Sequence, residues 1–241
     1  MANGAGYPSP TIARIMGLRL WLLGAAGGLL LLGAWLALTW APTLAEGFTA
    51  PVAQRIFYFH FGAAIASYAG FTVTFVASLM FLKGRKPFFD TIARDAAGVS
   101  LIFAAMMLTS GPIWGSAEWG VPWRWEDSRL VTYLVLSLVF VGYFALRRSI
   151  DDPTQRARTA ATYALVGYVL VPMSYLSLYL WQSLHPRVIS PGGQGVGSAG
   201  GVVMIIEVFG SLLLFAALLL WRLEVSLLEE KVSNAQRMVS A

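Results

Sequence analysis

The chain has 241 residues, of which 57% are hydrophobic and 12% are charged, and its net charge is +5. This apolar content exceeds what a water-soluble core of that length needs, so the composition excludes a soluble globular protein and indicates an integral membrane protein. The sequence has no cysteine. It therefore excludes disulfides, thiolate metal sites and covalent thioether capture of a ligand by this chain.

Six apolar segments follow one another along the chain. A hydrocarbon core about 30 Å thick requires roughly 20 apolar residues per helix. The predicted spans cover approximately residues 18–40, 57–82, 96–113, 129–146, 160–181 and 202–221. Because little sequence remains between them, we predict an all-α integral membrane protein with six transmembrane helices, forming a single domain over residues 1–241.

The basic residues alternate with these spans. Thirteen of the 17 Lys and Arg residues lie before span one, between spans two and three, between spans four and five, or after span six. The positive-inside rule therefore predicts that both termini are cytoplasmic and that residues 222–241 form a cytoplasmic tail. The positive charge then faces anionic lipid, which favours membrane lipid as a partner and argues against nucleic acid.

Residues 110–130, SGPIWGSAEWGVPWRWEDSRL, connect spans three and four on the predicted outer face. Interfacial anchoring explains scattered tryptophans, but it does not explain four within twelve residues. Pro112 and Pro122 each suit the first position of a helix, so we predict a helix from Pro122 into span four. Asp127 would lie near its positive N-terminal end. The result would be an aromatic shelf for a flat, amphipathic ligand that bears carboxylates. The four tryptophans are Trp114, Trp119, Trp123 and Trp125.

The only two histidines are His60, near the outer end of span two, and His185, after span five. A lone histidine in a membrane protein is more often a structural hydrogen-bonding group, whereas ionisable residues at membrane depth are functional candidates. Two imidazoles on one face can ligate a metal at the centre of a flat ligand. An iron porphyrin needs two axial nitrogens, a stacking surface and cations for its propionates, and the predicted outer face offers all three.

These residues resemble the tryptophan-rich WWD signature of haem-handling membrane proteins, and nearly the whole chain is similar to the cytochrome c maturation protein C (haem exporter protein C) family. Two further segments carry the resemblance, R-I-x-Y-x-H at residues 55–60 and L-H-P at residues 184–186. The resemblance implies transient, non-covalent binding of haem b, with His60 and His185 as axial ligands. It assigns the remaining contacts to Trp114, Gly115, Trp119, Gly120, Trp123, Trp125, Asp127, Arg129, Leu130 and Arg55.

The same resemblance implies a multi-pass protein of the bacterial inner membrane that delivers haem to a periplasmic haem chaperone. Its implied partners are that chaperone, the ATPase and membrane subunits of an ABC transporter, and a small membrane subunit. We expect a transfer protein rather than an enzyme. GVGSAG, residues 195–200, fits a nucleotide-binding pattern but follows no strand. We interpret it as a flexible linker within a Gly-rich outer loop over residues 190–201.

Two other functions stay open at this point. A permease-type subunit of an ABC exporter would move haem or another solute, and it should line its midplane with polar residues. Here the polar candidates cluster at the outer end instead. A membrane scaffold without haem would use the aromatic loop only to dock partners, and it would purify without haem.

Three residues leave questions for the structure. Glu126 separates Trp125 from Asp127, so either carboxylate can be that of the motif, although the following Ser-Arg-Leu favours Asp127. Gly62 stands where a proline is common in the family, which puts the local helix shape in question. Glu207 in span six is either a buried functional carboxylate or a side chain that reaches the interface.

Overall fold

The computed structural model describes residues 17–43, 48–185 and 197–240, and the regular elements in these ranges are helices. Six stretches are long and apolar enough to cross a membrane, with α5 and α6 together forming one of them. The predicted six-span, all-α fold is confirmed. The helices are α1 (Arg19–Thr39), α2 (Ile56–Gly84), α3 (Pro87–Trp119), α4 (Ser128–Arg148), α5 (Pro153–Tyr168), α6 (Leu170–Leu180) and α7 (Gly197–Ser240), and a 3-10 turn (Ala53–Arg55) precedes α2.

Helix α3 is longer than the predicted third span. It begins with Pro87, whose missing N–H costs nothing at the first position. It then continues through Pro112, which cannot donate a hydrogen bond to the Leu108 carbonyl one turn earlier. Although Pro112 suits the first position of a helix, it lies inside α3. The helix ends at Gly120, whose φ of 72° is the left-handed conformation that glycine adopts at little cost.

The fifth span is divided and the sixth is extended. Helix α5 ends at Tyr168 because Pro172 has no N–H for that carbonyl and its ring crowds it. Helix α7 runs on through most of the predicted tail at 222–241. It also includes residues 197–201, so that part of the predicted loop at 190–201 is wrong. Residues 190–196 lie outside the described ranges.

Small residues allow the helices to pack closely. A Cβ atom at Gly62 would lie 2.7 Å from Ser211 Oγ, so glycine permits α2 to approach α7, and α2 is continuous through this position. A Cβ at Gly33 of α1 would lie 2.5 Å from Glu207 Oε1. Glu207 is fully buried against α1 and does not reach the surface of the bundle.

The antiparallel helices create two chemically different ends. At one end, α2 begins and α3 ends, and we call this the histidine end because it carries His60 and His185. At the other, which we call the arginine end, α3 begins and α4 ends. There Arg147 forms a two-pronged ion pair with Asp90, with N···O distances of 2.6 and 2.8 Å. Between the two ends, the stacked rings of Phe71 and Phe140 lie 4.1 Å apart in the core.

Candidate functional site

The two histidines meet at the histidine end. Their ring centroids lie 6.0 Å apart, and the ring planes are inclined by 41°. His60 lies in the second turn of α2, whereas His185 lies in the irregular segment that follows α6. The structure thus brings together two side chains that the sequence only placed on the same predicted face. They line one small cavity with Met107, Leu108, Gly111, Pro112, Trp123, Arg129, Leu130 and Tyr133.

His60 is held by two small residues of α3. Its Nδ1 lies 3.0 Å from Ser110 Oγ, and the Ser110 hydroxyl donates to the Met106 carbonyl at 2.7 Å. Since that hydroxyl proton is already used, Ser110 accepts from His60 Nδ1–H, which leaves the lone pair on Nε2. A Cβ at Gly111 would lie only 3.3 Å from His60 Cε1. We did not predict either role, although both residues open the tryptophan loop in the sequence.

Asp127 fastens the segment that carries His185. It caps α4 by accepting hydrogen bonds from the backbone N–H groups of Arg129 and Leu130 at 2.9 and 3.2 Å. The same carboxylate accepts from the Ser183 hydroxyl at 2.9 Å and from the Leu184 N–H at 2.7 Å. The Ser183 oxygen in turn accepts from the N–H of His185 at 3.1 Å. One buried carboxylate therefore ties the start of α4 to the residues directly before His185.

The loop between α3 and α4 differs from the predicted helix. Helix α4 begins at Ser128, and Asp127 has the extended backbone of a capping residue. The prediction of a helix from Pro122 is therefore wrong. Residues 121–127 are irregular, because an Asp side chain that caps the following turn holds its own backbone outside the helix. Glu126 is exposed, so Asp127 is the carboxylate that makes the loop's buried contacts.

Two of the four loop tryptophans pack directly on His185. The buried Trp114 meets Trp119 edge-on at 5.1 Å, and their ring centroids lie 5.9 and 6.0 Å from that of His185. Gly115 makes room for this pair, since a Cβ there would lie 3.1 Å from the Trp119 ring. The other two tryptophans form a second pair, in which Trp123 lines the histidine cavity. Trp125, by contrast, is 70% exposed.

Arg129 supplies a buried positive charge beside the histidines. Its Nη1 donates to the Ser174 carbonyl at 2.6 Å, and its guanidinium lies 5.7 Å from the centre of the Tyr68 ring. Only its backbone N–H, and not its side chain, contacts Asp127. Burial, and then the charges of His60 and Arg129, hold the pKa of His185 well below its usual range. His185 is therefore neutral at pH 7, which is the form that ligates a metal.

Three other predicted residues lie around this centre. Leu130 is buried and lines the histidine cavity. Gly120 is exposed at the end of α3. Arg55 lies on the 3-10 turn, where its guanidinium donates to the Leu38 carbonyl, and it is outside the set of residues that line the cavity. Glu118, whose role we did not predict, accepts from the N–H groups of Thr49 and Ala50 at 2.8 and 3.0 Å.

The chemistry of the site suits a metal-centred planar ligand, but its volume is too small for one. Four of the buried polar atoms that lack a hydrogen-bond partner within the described ranges lie around this site: His185 Nδ1, Trp114 Nε1, Trp123 Nε1 and Arg129 Nε. The cavity between the histidines measures about 20 Å³, space for about one water molecule. A porphyrin therefore requires the site to open.

A second, open cavity of about 540 Å³ adjoins the same segment. Gln182, Ser183 and Leu184 line this open cavity, and His185 lines the closed one. The short segment that carries His185 thus borders both spaces. Asp127 also lines the open cavity, together with Arg124 and Glu126.

Comparison with known proteins assigns the chain to a family. A family model described as Heme exporter protein C matches residues 5–238. The chain belongs to the Heme exporter protein C family. The predicted family is therefore confirmed, and the matched range includes both histidines and the tryptophan loop.

Several relatives are similar to this chain over more than two thirds of its length. The Heme exporter protein C of Bradyrhizobium diazoefficiens is 31% identical over 220 residues, which cover 90% of this chain and 82% of the relative. That of Escherichia coli K12 is 32% identical over 169 residues, or 70% of this chain and 68% of the relative. A putative cytochrome c biosynthesis ccmC-like mitochondrial protein of Marchantia polymorpha is 29% identical over 164 residues, or 68% of this chain and 66% of the relative.

Proposed function

We propose that this member of the Heme exporter protein C family binds haem b non-covalently between His60 and His185 and delivers it to a haem chaperone in cytochrome c maturation. One observation carries the proposal: the chain's only two histidines meet with 6.0 Å between their ring centroids. Two neutral imidazoles brought together in this way would each offer a nitrogen to one metal ion between them. The names of the relatives support haem as the cargo.

The residues around the histidines have separate tasks in this proposal. The neutral rings of His60 and His185 supply the axial nitrogens. Trp114 and Trp119 provide apolar surface for the porphyrin, and each aromatic contact adds about 0.5 to 1.5 kcal/mol beyond burial. The buried guanidinium of Arg129 attracts a propionate by a charge-assisted hydrogen bond. The unpaired Nε1 atom of Trp123 offers a further donor in the same cavity.

Asp127 acts as a positioning residue for His185. A carboxylate repels the propionates of haem, and Asp127 already accepts hydrogen bonds from four groups, so it is poorly suited to contact them. Breaking its bonds to Ser183 and Leu184 frees the segment that carries His185. That release enlarges the closed cavity on binding and removes one axial ligand on transfer.

We place the protein in the bacterial inner membrane as a multi-pass subunit, with the histidine end outward and both termini cytoplasmic. The proposed partners are the haem chaperone, the ATPase and membrane subunits of an ABC transporter, a small membrane subunit, and lipid. Single cysteines at Lys86 and Ser116 test the orientation, because both side chains are exposed at opposite ends. An impermeant thiol reagent should label only Ser116→Cys in intact cells, and the reverse pattern would overturn the topology.

The absorption spectrum of the purified protein tests haem binding directly. We expect a Soret band with the alpha and beta bands of a six-coordinate haem with two nitrogen ligands. The band should disappear on extraction into acidified solvent, because no cysteine is present to hold the haem covalently. Protein that is folded and yet fails to bind added haem would overturn the proposal and favour a scaffold.

A further inference from the structure

A third cavity lies at the arginine end, away from the histidines. It measures about 400 Å³ and lies between α3, α4 and α7. Ile102 and Trp221 in its wall are each about half exposed on the outside of the bundle, so the cavity opens toward the membrane. Its lining consists of Arg94, Asp95, Gly98, Val99, Ile102, Phe144, Leu218, Trp221, Arg222 and Val225. The cavity therefore has apolar walls and a charged rim.

The rim carries an excess of positive charge in a fixed arrangement. The Asp95 carboxylate is 2% exposed, and it accepts from Arg94 Nε at 2.9 Å and from the Ser226 hydroxyl at 2.6 Å. Arg222 Nε lies 3.7 Å from the same carboxylate, and Arg94 also donates to Ser226 at 2.7 Å. Two guanidiniums share one buried carboxylate, while the second acidic neighbour of Arg222, Glu229, is largely exposed. The rim thus attracts an anion.

We propose that this cavity binds one anionic phospholipid, with its phosphate at Arg94 and Arg222 and an acyl chain against Val99, Ile102 and Leu218. Basic pockets between transmembrane helices bind anionic headgroups in this way. Haem does not fit the lining, since none of the ten lining residues is a histidine, methionine, tyrosine or cysteine that could ligate iron.

Native mass spectrometry of the full-length protein tests the proposal. The purified protein is mixed with phosphatidylglycerol or with phosphatidylcholine at equal concentration, and the retained lipid is counted. We expect wild type to prefer the anionic lipid. Arg222→Gln should weaken that preference about fivefold, the effect of one basic residue at a lipid headgroup. Ile102→Trp should abolish retention by filling the cavity while leaving the arginines in place.

Arg148→Gln is the matched control, because Arg148 is an exposed arginine at the same end of the bundle. It should keep the preference of wild type. Equal retention of the two lipids by wild type would overturn the proposal, as would an equal loss in Arg148→Gln. Undiminished retention in Ile102→Trp would exclude the acyl chain from the cavity. Haem content, measured in the same samples, should not change, so failure here is distinguishable from failure of haem binding.

Discussion

The arginine end and the histidine end differ in how many of their buried polar groups have hydrogen-bond or ion-pair partners. At the arginine end, the side chains of Arg147 and Asp90 satisfy each other, and Asp95 is bonded to both Arg94 and Ser226. At the histidine end, buried polar atoms lack a partner in the part of the chain that the structure describes, and four nitrogen atoms around the two histidines are among them. Satisfied polar networks rigidify a fold, whereas unpaired buried groups destabilise it. The comparison separates an end whose central charged groups pair with each other from an end whose unpaired nitrogen atoms surround the proposed haem site.

The largest expected effect comes from breaking the arginine end. Arg147→Ala leaves the carboxylate of Asp90 without its partner. Since Asp90 is only partly buried, we expect the lower end of the cost of breaking a buried pair, about 3 kcal/mol. Thermal unfolding in detergent should show this loss, while haem per folded protein stays constant. Arg148→Ala is the control, because the neighbouring arginine is exposed. Equal stability of the two variants would show that the ion pair between Arg147 and Asp90 does not stabilise the fold.

The histidine variants are expected to lose haem affinity rather than thermal stability. His60→Ala and His185→Ala each remove an axial ligand, and we expect haem affinity to fall by more than about a hundredfold, beyond the effect of losing an outer partner. Thermal stability should change little or rise, because a buried polar group disappears. Haem titration followed at the Soret band measures the affinity, with the exposed Trp21→Ala as the control. Wild-type spectra in the double histidine variant would show that neither His60 nor His185 ligates haem.

A smaller effect is expected at Asp127. Asp127→Asn keeps the shape but weakens the bonds to Ser183 and Leu184, so haem affinity should fall about tenfold, as for outer partners of metal ligands. Glu126→Gln is the matched control, since it neutralises the adjacent, exposed carboxylate. The alpha and beta bands should broaden in Asp127→Asn, because the geometry of His185 is less fixed. If Glu126→Gln weakens binding equally, net charge rather than positioning explains the effect.

The smallest effect is expected from pH. The pKa of His185 is lowered, so its neutral form is favoured in the folded protein. The resulting contribution to the free energy of unfolding is fully present above the ordinary imidazole pKa of about 6.5. It is lost only as pH falls below that value, toward the folded pKa. Haem affinity depends on the folded His185, so it should stay constant from about pH 8 to below pH 6.5 and decrease only in buffer acidic enough to protonate the folded ring. Half-maximal loss near pH 6.5 would show an ordinary, solvated His185.

The sequence predicted the helices better than the contacts that hold the site. Hydropathy located all six spans because bilayer thickness sets their length. The prediction of a helix start at Pro122 was wrong, since proline also suits an irregular loop and the helix is capped by Asp127 instead. The shared face of His60 and His185 was predicted from the topology, and the structure brings the rings together. Their role as ligands stays a prediction.

Other features of the site depend on contacts between distant parts of the chain. The bonds from Asp127 to Ser183 and Leu184 join residues that are 56 and 57 positions apart. No local pattern marks such a pair, because serine and a backbone N–H are common everywhere. The role of Ser110 was not predicted for the same reason, since its contact with His60 spans 50 positions. The sequence therefore identified the residue types of the site without identifying what holds them.

The position of His185 after α6 has a consequence for membrane insertion. During synthesis, His60, the tryptophan loop and Asp127 emerge from the ribosome well before Ser183 and His185. Contacts of such long sequence separation form late. A chain arrested before residue 183 has the aromatic surface but only one of the two histidines. We therefore expect nascent and truncated chains to retain haem poorly. Synthesis order would then prevent a half-inserted protein from withdrawing haem from the cell.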